Sequence, residues 1–204
     1  MTRAEVSLFL EAAIHTGTSA LWEVAIASGM RPGELLALTW DCVDWRSNSV
    51  RVEKSVTRPR RQKPFLGPPK TSKSRRTIPL PAQVMETLRD HRVNLNEERL
   101  RVGYDWNQSL NLVFPNRVGE LWDYSNFAKR LFKPTLKKSG LKGFSPYSLR
   151  HTCATLLLMA NEHPKVVSER LGHSTIALIL DTYSHVLPTM QQGATEKLAG
   201  MLFG

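Results

Sequence analysis

The stretch from Arg51 to Arg76 constrains this chain more than any other, because it holds ten basic residues and a single acid, Glu53. Like charges at that density cannot share a core, since an unpaired buried cation is strongly disfavoured. The segment must therefore face solvent or a polyanion. Within it, Val50, Val52 and Val56 alternate along Ser49 to Val56, which predicts a strand. Pro64, Gly67, Pro68 and Pro69 mark a loop, and Arg75 to Leu80 reads as the returning strand. A basic β-hairpin or small sheet results.

The flanks have helical periodicity. Thr2-Arg3-Ala4-Glu5 has capping-box spacing and opens an amphipathic helix carrying Val6, Phe9, Leu10 and Ala13. A second helix is expected from Ser19 to Ser28, ended by Gly29. Pro32 suits a first helical turn, and Glu34 to Leu38 should continue it. Beyond the hairpin a long helix is expected from Pro81 to about Arg101, then a short extended piece at Leu112 to Pro115. Helices follow at about Asp123–Lys138, Ser148–Ala160, Pro164–Leu171 and Thr175–Thr182, with a last one from about Thr189 to Leu202. The fold class is mainly α with a small antiparallel β insert, read as one domain over residues 1–204.

Composition narrows the function. Lys and Arg number 28 against 18 acids, a formal net charge of +10. A basic domain of this size suits nucleic acid, the commonest polyanion, although a merely soluble basic surface would have the same charge. No run of eighteen apolar residues is present, so no membrane span is expected. Cys42 and Cys153 are too few for a disulfide framework or a zinc motif and read as buried small residues or free thiols, which fits a reducing cytoplasm.

Four short stretches carry candidate chemistry. Gly29-Met30-Arg31-Pro32-Gly33-Glu34 puts an arginine at the entry to a helix, where an anion is welcome. Pro69-Lys70-Thr71-Ser72-Lys73 places lysines where they reach a phosphate or protonate a leaving oxygen. The others are Tyr147-Ser148-Leu149-Arg150-His151-Thr152, and Leu171-Gly172-His173 followed by Asp181-Thr182-Tyr183-Ser184-His185. Taken singly, each reads as readily as a surface, capping or core residue.

Together, Arg31, Lys70, Arg150, His173 and Tyr183, in that order, resemble the signature of the tyrosine recombinase (phage integrase) family. The resemblance covers nearly the whole chain and is most specific from Leu149 to Val186. It implies the tyrosine recombinase catalytic-domain fold and a tyrosine hydroxyl, Tyr183, that attacks DNA to form a 3′-phosphotyrosyl link. Arg31 and Arg150 would hold the non-bridging oxygens, because a planar guanidinium binds two at once. Lys70, preferred over Lys73, would protonate the 5′-oxygen. His173 would bond the phosphate and help activate Tyr183, and Glu34 would orient side chains. The chain departs from the family at Tyr147, where histidine is usual; a phenol donates a hydrogen bond but exchanges no proton near neutral pH. His151 reads as a packing residue beside the site. Arg58, Arg60, Arg61, Lys63, Lys73, Arg75 and Arg76 are expected to face DNA.

The resemblance implies no metal, cofactor or ATP, because the phosphotyrosyl bond conserves the energy of the broken one. It also implies duplex DNA as partner, a homotetramer on paired sites in the full-length protein, and a bacterial or phage-type cytoplasmic, nucleoid-associated setting. Relatives carry an N-terminal helical DNA-binding domain, so these residues are expected to be the catalytic domain without it. The apolar tail (Met190, Leu198, Met201, Leu202, Phe203) would dock on a neighbouring protomer or pack on its own domain, leaving the isolated domain monomeric in the second case. Two other classes fit parts of the pattern. A helix-turn-helix regulator explains the charge and the helices, and a type IB topoisomerase shares the nucleophile.

Overall fold

The computed structural model describes residues 1–58, 62–69, 74–173, 176–182, 195 and 198–203. Helix α1 (Arg3–Thr16) starts where Thr2 Oγ1 accepts the Glu5 N–H at 3.2 Å and Glu5 Oε2 accepts the Thr2 N–H at 2.7 Å. This is the capping box expected from the sequence. Helix α2 (Ser19–Ser28) buries Leu21, Trp22, Val24, Ala25 and Ile26, so it is apolar on most sides and runs through the core. Helix α3 (Pro32–Leu35) is only four residues long, shorter than the expected run to Leu38.

The hairpin region holds two small antiparallel sheets. Strands β1 (Val43–Asp44) and β2 (Ser49–Val52) pair first. Strands β3 (Ser55–Thr57) and β4 (Phe65–Gly67) form a separate sheet. Strand β5 (Arg76–Pro79) then returns to β2, with Val50 opposite Ile78 and Val52 opposite Arg76. The single strand expected over Ser49 to Val56 is therefore divided at Glu53 and Lys54, and part of the expected loop is β4. The pairing explains the break. Beyond Val52 the β5 partner has ended, and Val56 goes instead to Leu66 in a sheet packed on α3. A Cβ at Gly33 would lie 2.8 Å from Ser55 Oγ, so glycine lets the two elements meet.

Helix α4 (Ala82–Val102) buries only Val84, Met85 and Leu88 and exposes most of its remaining length. The expected helix from Asp123 to Lys138 is α5 (Tyr124–Phe127) and α6 (Lys133–Lys138), joined by a π-helical turn at Ala128–Phe132. Pro134 gives the reason: it has no N–H for the Arg130 carbonyl and crowds that carbonyl, so the preceding turn widens. Helices α7 (Pro146–Met159), α8 (Pro164–Leu171) and α9 (Ala177–Thr182) follow. Of the expected last helix, residues 198–203 are helical and expose Leu198, Met201, Leu202 and Phe203; the rest lies outside the described residues.

The main core is centred on four rings, Phe9, Trp22, Phe127 and Phe132, with centroids 5.5 to 5.7 Å apart in tilted or edge contacts. Trp22 Nε1 donates to the buried Thr135 hydroxyl at 3.3 Å, which ties α2 to α6 without leaving an indole N–H unmet. A smaller cluster of Ala154, Leu158, Val167, Leu171 and Ile179 holds α7, α8 and α9 together. Cys42 and Cys153 are both buried free thiols. Among the described residues no helix is long and apolar enough to cross a membrane.

Because Trp22 is fully buried and its indole is anchored, Trp22→Ala is expected to cost about 3–5 kcal/mol. Tyr104→Ala, at a fully exposed position, should change stability by less than about 0.5 kcal/mol. Urea denaturation of the two variants checks the contrast; equal midpoints would remove the aromatic cluster from its central place.

Candidate active site

Two helix C-termini meet at the site. Helix α2 ends at Gly29 and helix α8 at Gly172, both left-handed, with φ of 63° and 66°. A Cβ at Gly29 would lie 2.5 Å from Leu171 Cδ2, so the two turns abut only because one of them has no side chain. The terminal carbonyls of such ends lack helical partners. Arg150, on α7 and 5% exposed, supplies them: Nη1 donates to Gly29 O and Nη2 to Leu171 O, each at 2.7 Å. Arg31 Nη2 donates to the next carbonyl, Gly172 O, at 3.3 Å. Positive charge at helix C-termini is favourable, so both guanidiniums are held where they are.

Glu34 organises the other side. Its side chain is 2% exposed, and Oε1 accepts from Arg31 Nη1 at 2.7 Å. Oε2 accepts from the Arg31 backbone N–H at 3.0 Å and from Arg76 Nη2 at 2.9 Å. Burial alone would raise the carboxyl, but the charge and hydrogen bond of Arg76, with the bonds from Arg31, outweigh it and hold the pKa below the usual value. The expected anion-welcoming helix end at Arg31 is thus only one turn long, and a buried carboxylate instead fixes the side chain.

His173 follows directly on Gly172, and its N–H closes the α8 end on Ser168 O at 3.0 Å. Its ring is half-buried, and Nδ1 is buried with no hydrogen-bond partner among the described residues. Desolvation, then the charges of Arg150, Arg31 and Arg76, lower its pKa to about 4. The imidazole is therefore neutral at physiological pH and available to give or take a hydrogen bond.

Arg31 opens onto a cavity of about 310 Å³ lined also by Pro32, Gly33, Val56, Tyr124 and Tyr147. Tyr147 is 47% exposed, with its ring 6.4 Å from that of Tyr124. His151, one residue past Arg150, is exposed; partial burial and then Arg150 lower its pKa. Arg58 pairs with Asp123 at the cavity rim, while Lys63 and Arg75 are exposed. A second cleft, about 750 Å³, runs between the two sheets and is lined by Arg51, Lys54, Arg75 and Arg76. Arg76 borders this cleft but differs from the other cations, because its side chain is only 8% exposed and its Nη2 bonds Glu34. Strand alternation carried that signal: Arg76 shares a face of β5 with the buried Ile78, and Arg75 and Thr77 share the other. Lys70, Lys73, Arg60, Arg61 and Tyr183 lie outside the described residues.

Arg31, Arg150 and His173, far apart in sequence, thus converge on one helix end. The family model described as the phage integrase family matches residues 1–190. The chain belongs to this family. Among phage-integrase relatives, it is 33% identical over 204 residues to a tyrosine recombinase XerC-like protein of Caldanaerobacter subterraneus subsp. tengcongensis, covering 95% of this chain and 52% of that protein. It is 34% identical over 207 residues to an integrase of Streptomyces ambofaciens, covering 95% and 51%. The chain therefore spans about half the length of these relatives. In fold it is similar to the Tn1549 transposon integrase solved with transposon right end DNA (TM-score 0.81, 23% identity, 98% of this chain and 65% of that one). XerA recombinase matches with TM-score 0.70 at 20% identity, over all of this chain and 65% of that one. The mainly α architecture with small antiparallel sheets is that of tyrosine recombinase catalytic domains.

The electrostatic environment of His173 has a direct check. Its ring resonances in NMR should titrate with a midpoint near 4 and stay those of neutral imidazole at pH 6. The folded pKa lies below the unfolded one, so this group's contribution to stability is complete above about pH 6.5 and is lost as pH falls toward 4. A midpoint above 6 would show that the three guanidiniums do not act on the ring.

Proposed function

We propose that this chain is the catalytic domain of a site-specific DNA recombinase of the integrase type, which cleaves and rejoins duplex DNA through a 3′-phosphotyrosyl intermediate on Tyr183. The observation that carries the reading is the convergence of Arg31, Arg150 and His173 on the α8 terminus, Arg31 and Arg150 through carbonyls of successive residues. Buried carbonyls and Glu34 fix both guanidiniums before any substrate arrives, as charge stabilisation without reorganisation requires.

In this scheme the Tyr183 oxygen forms a bond to phosphorus, and the bond from phosphorus to the 5′-oxygen breaks. Arg31 and Arg150 stabilise the extra charge on the non-bridging oxygens. Neutral His173 bonds the phosphate and accepts from the attacking hydroxyl. Tyr147, at the cavity wall, donates a hydrogen bond in place of the histidine usual in the family. Lys70 delivers a proton to the departing 5′-oxygen. Reversal by a 5′-hydroxyl rejoins the strand, so neither metal nor ATP takes part. Arg58, Lys63 and Arg75, with Arg60, Arg61 and Lys73 of the same basic segment, contact the DNA backbone, and the active assembly is a tetramer on two sites. The structurally similar Tn1549 integrase, solved with transposon right end DNA, supports the choice of partner.

The experiment is covalent capture on nicked duplex DNA carrying 5′-bridging phosphorothiolates, drawn from a randomised pool so that the site need not be known. Wild-type protein should form a denaturation-resistant adduct, and Tyr183→Phe should form none. Arg31→Gln should slow capture on the order of 10²–10³-fold. A wild-type protein that binds the pool but never becomes attached would leave a non-catalytic DNA-binding protein. Binding itself should weaken steeply with salt, since phosphate contacts release counterions. A salt-independent affinity would argue against backbone contact by the basic segment.

A further inference from the structure

Among the described cations of the hairpin segment, Arg76 alone has its side chain buried in the site, and nothing in the scheme above uses it. Each nitrogen of its guanidinium donates to protein: Nη2 to Glu34 Oε2 at 2.9 Å, Nε to Arg170 O at 2.5 Å and Nη1 to Ser74 O at 2.8 Å. The fit is close, because a Cβ on Gly172 would lie 2.9 Å from Arg76 Nη1. Arg170 answers from α8, with Nη1 and Nη2 on Pro79 O at 3.2 and 2.9 Å. Strand β5 and the end of α8 are thereby clamped in both directions, with His173 two residues beyond Leu171.

The charge at Glu34 matters more than the clamp. Glu34 lies against Arg31, which faces the cavity, and against Arg76, which does not. With Arg31 alone, a buried carboxylate at 2.7 Å would cancel the charge that the phosphate needs. Two guanidiniums on one carboxylate leave a net positive charge, and Arg31 is the exposed member of the trio, at 26%. We propose that Arg76 is a positioning residue for DNA cleavage: its buried guanidinium neutralises Glu34, so that Glu34 can hold Arg31 in place without cancelling its charge. This inference rests on the recombinase reading, and its test is built so that the two fail separately.

Single-turnover capture on the phosphorothiolate duplexes, at saturating protein, is compared for the wild type, Arg76→Gln, Arg76→Lys and the double variant Glu34→Gln/Arg76→Gln. The thiolate leaving group needs no proton, so the rate reports on stabilisation of the phosphate. Arg76→Gln should cleave about a hundredfold more slowly, with DNA half-saturation and its salt slope unchanged. The double variant, in which both charges are gone, should recover at least about tenfold over Arg76→Gln, because the uncompensated carboxylate has been removed. A purely structural role would give no such recovery, since the double variant lacks more bonds than the single one. Arg76→Lys keeps the charge and should lie between the wild type and Arg76→Gln. If Arg76→Gln fails to fold, as a melting curve would show, the double variant decides: folded and within about tenfold of wild type supports the proposal. Folded but as slow as Arg31→Gln overturns it. Wild-type rate in Arg76→Gln, a double variant no faster than that single one, or a loss confined to DNA affinity would also overturn it. Absence of any adduct from the wild type would instead remove the recombinase reading, and this inference with it.

Discussion

Arg150 joins three helices through two hydrogen bonds, and the site depends on them. Its guanidinium lies between the ends of α2 and α8, bonded to a carbonyl of each at 2.7 Å. Those carbonyls have no partners in their own helices, so without Arg150 they would be buried and unmet. A guanidinium satisfies both because its donors diverge in a plane, which an ammonium cannot reproduce. The same contact sets where Arg31 and His173 stand, since one bonds Gly172 O and the other follows it. The geometry of the whole candidate site therefore rests on one side chain.

The electrostatics follow from that geometry. Three guanidiniums lie around one buried carboxylate and one half-buried imidazole, so the site has a net positive charge. Glu34 stays ionised because neighbouring positive charge outweighs its burial, whereas at His173 desolvation comes first and the same positive charge adds to it, so the imidazole stays neutral. Repulsion among the cations is limited by bonds to carbonyls and to Glu34, which hold them in place.

Much of this was legible in the linear chain. The Thr2–Glu5 capping box, the glycine stop at Gly29 and the apolar pattern of α2 located the first two helices within a residue or two. Arg31, Arg150 and His173 were identifiable by their order and context, and they do converge. Strand boundaries were not legible. Val50, Val52 and Val56 alternate without a break, and only the end of the β5 partner divides them between two sheets. The direction of Arg76 was readable in principle from its two-residue spacing to Ile78, but the surrounding run of cations argued for the surface.

The sequence by itself determined that this chain has a helical core and a basic hairpin, because periodicity, caps and charge density act locally. Tertiary structure alone decided which cations face the cavity and which face inward. Burial and hydrogen-bond partners settle that, and both come from residues far away in the chain: Gly29 and Leu171 for Arg150, Gly172 for Arg31, Glu34 and Arg170 for Arg76. An arginine's charge is written in its own side chain, but its available donors are whatever the packed neighbours leave over.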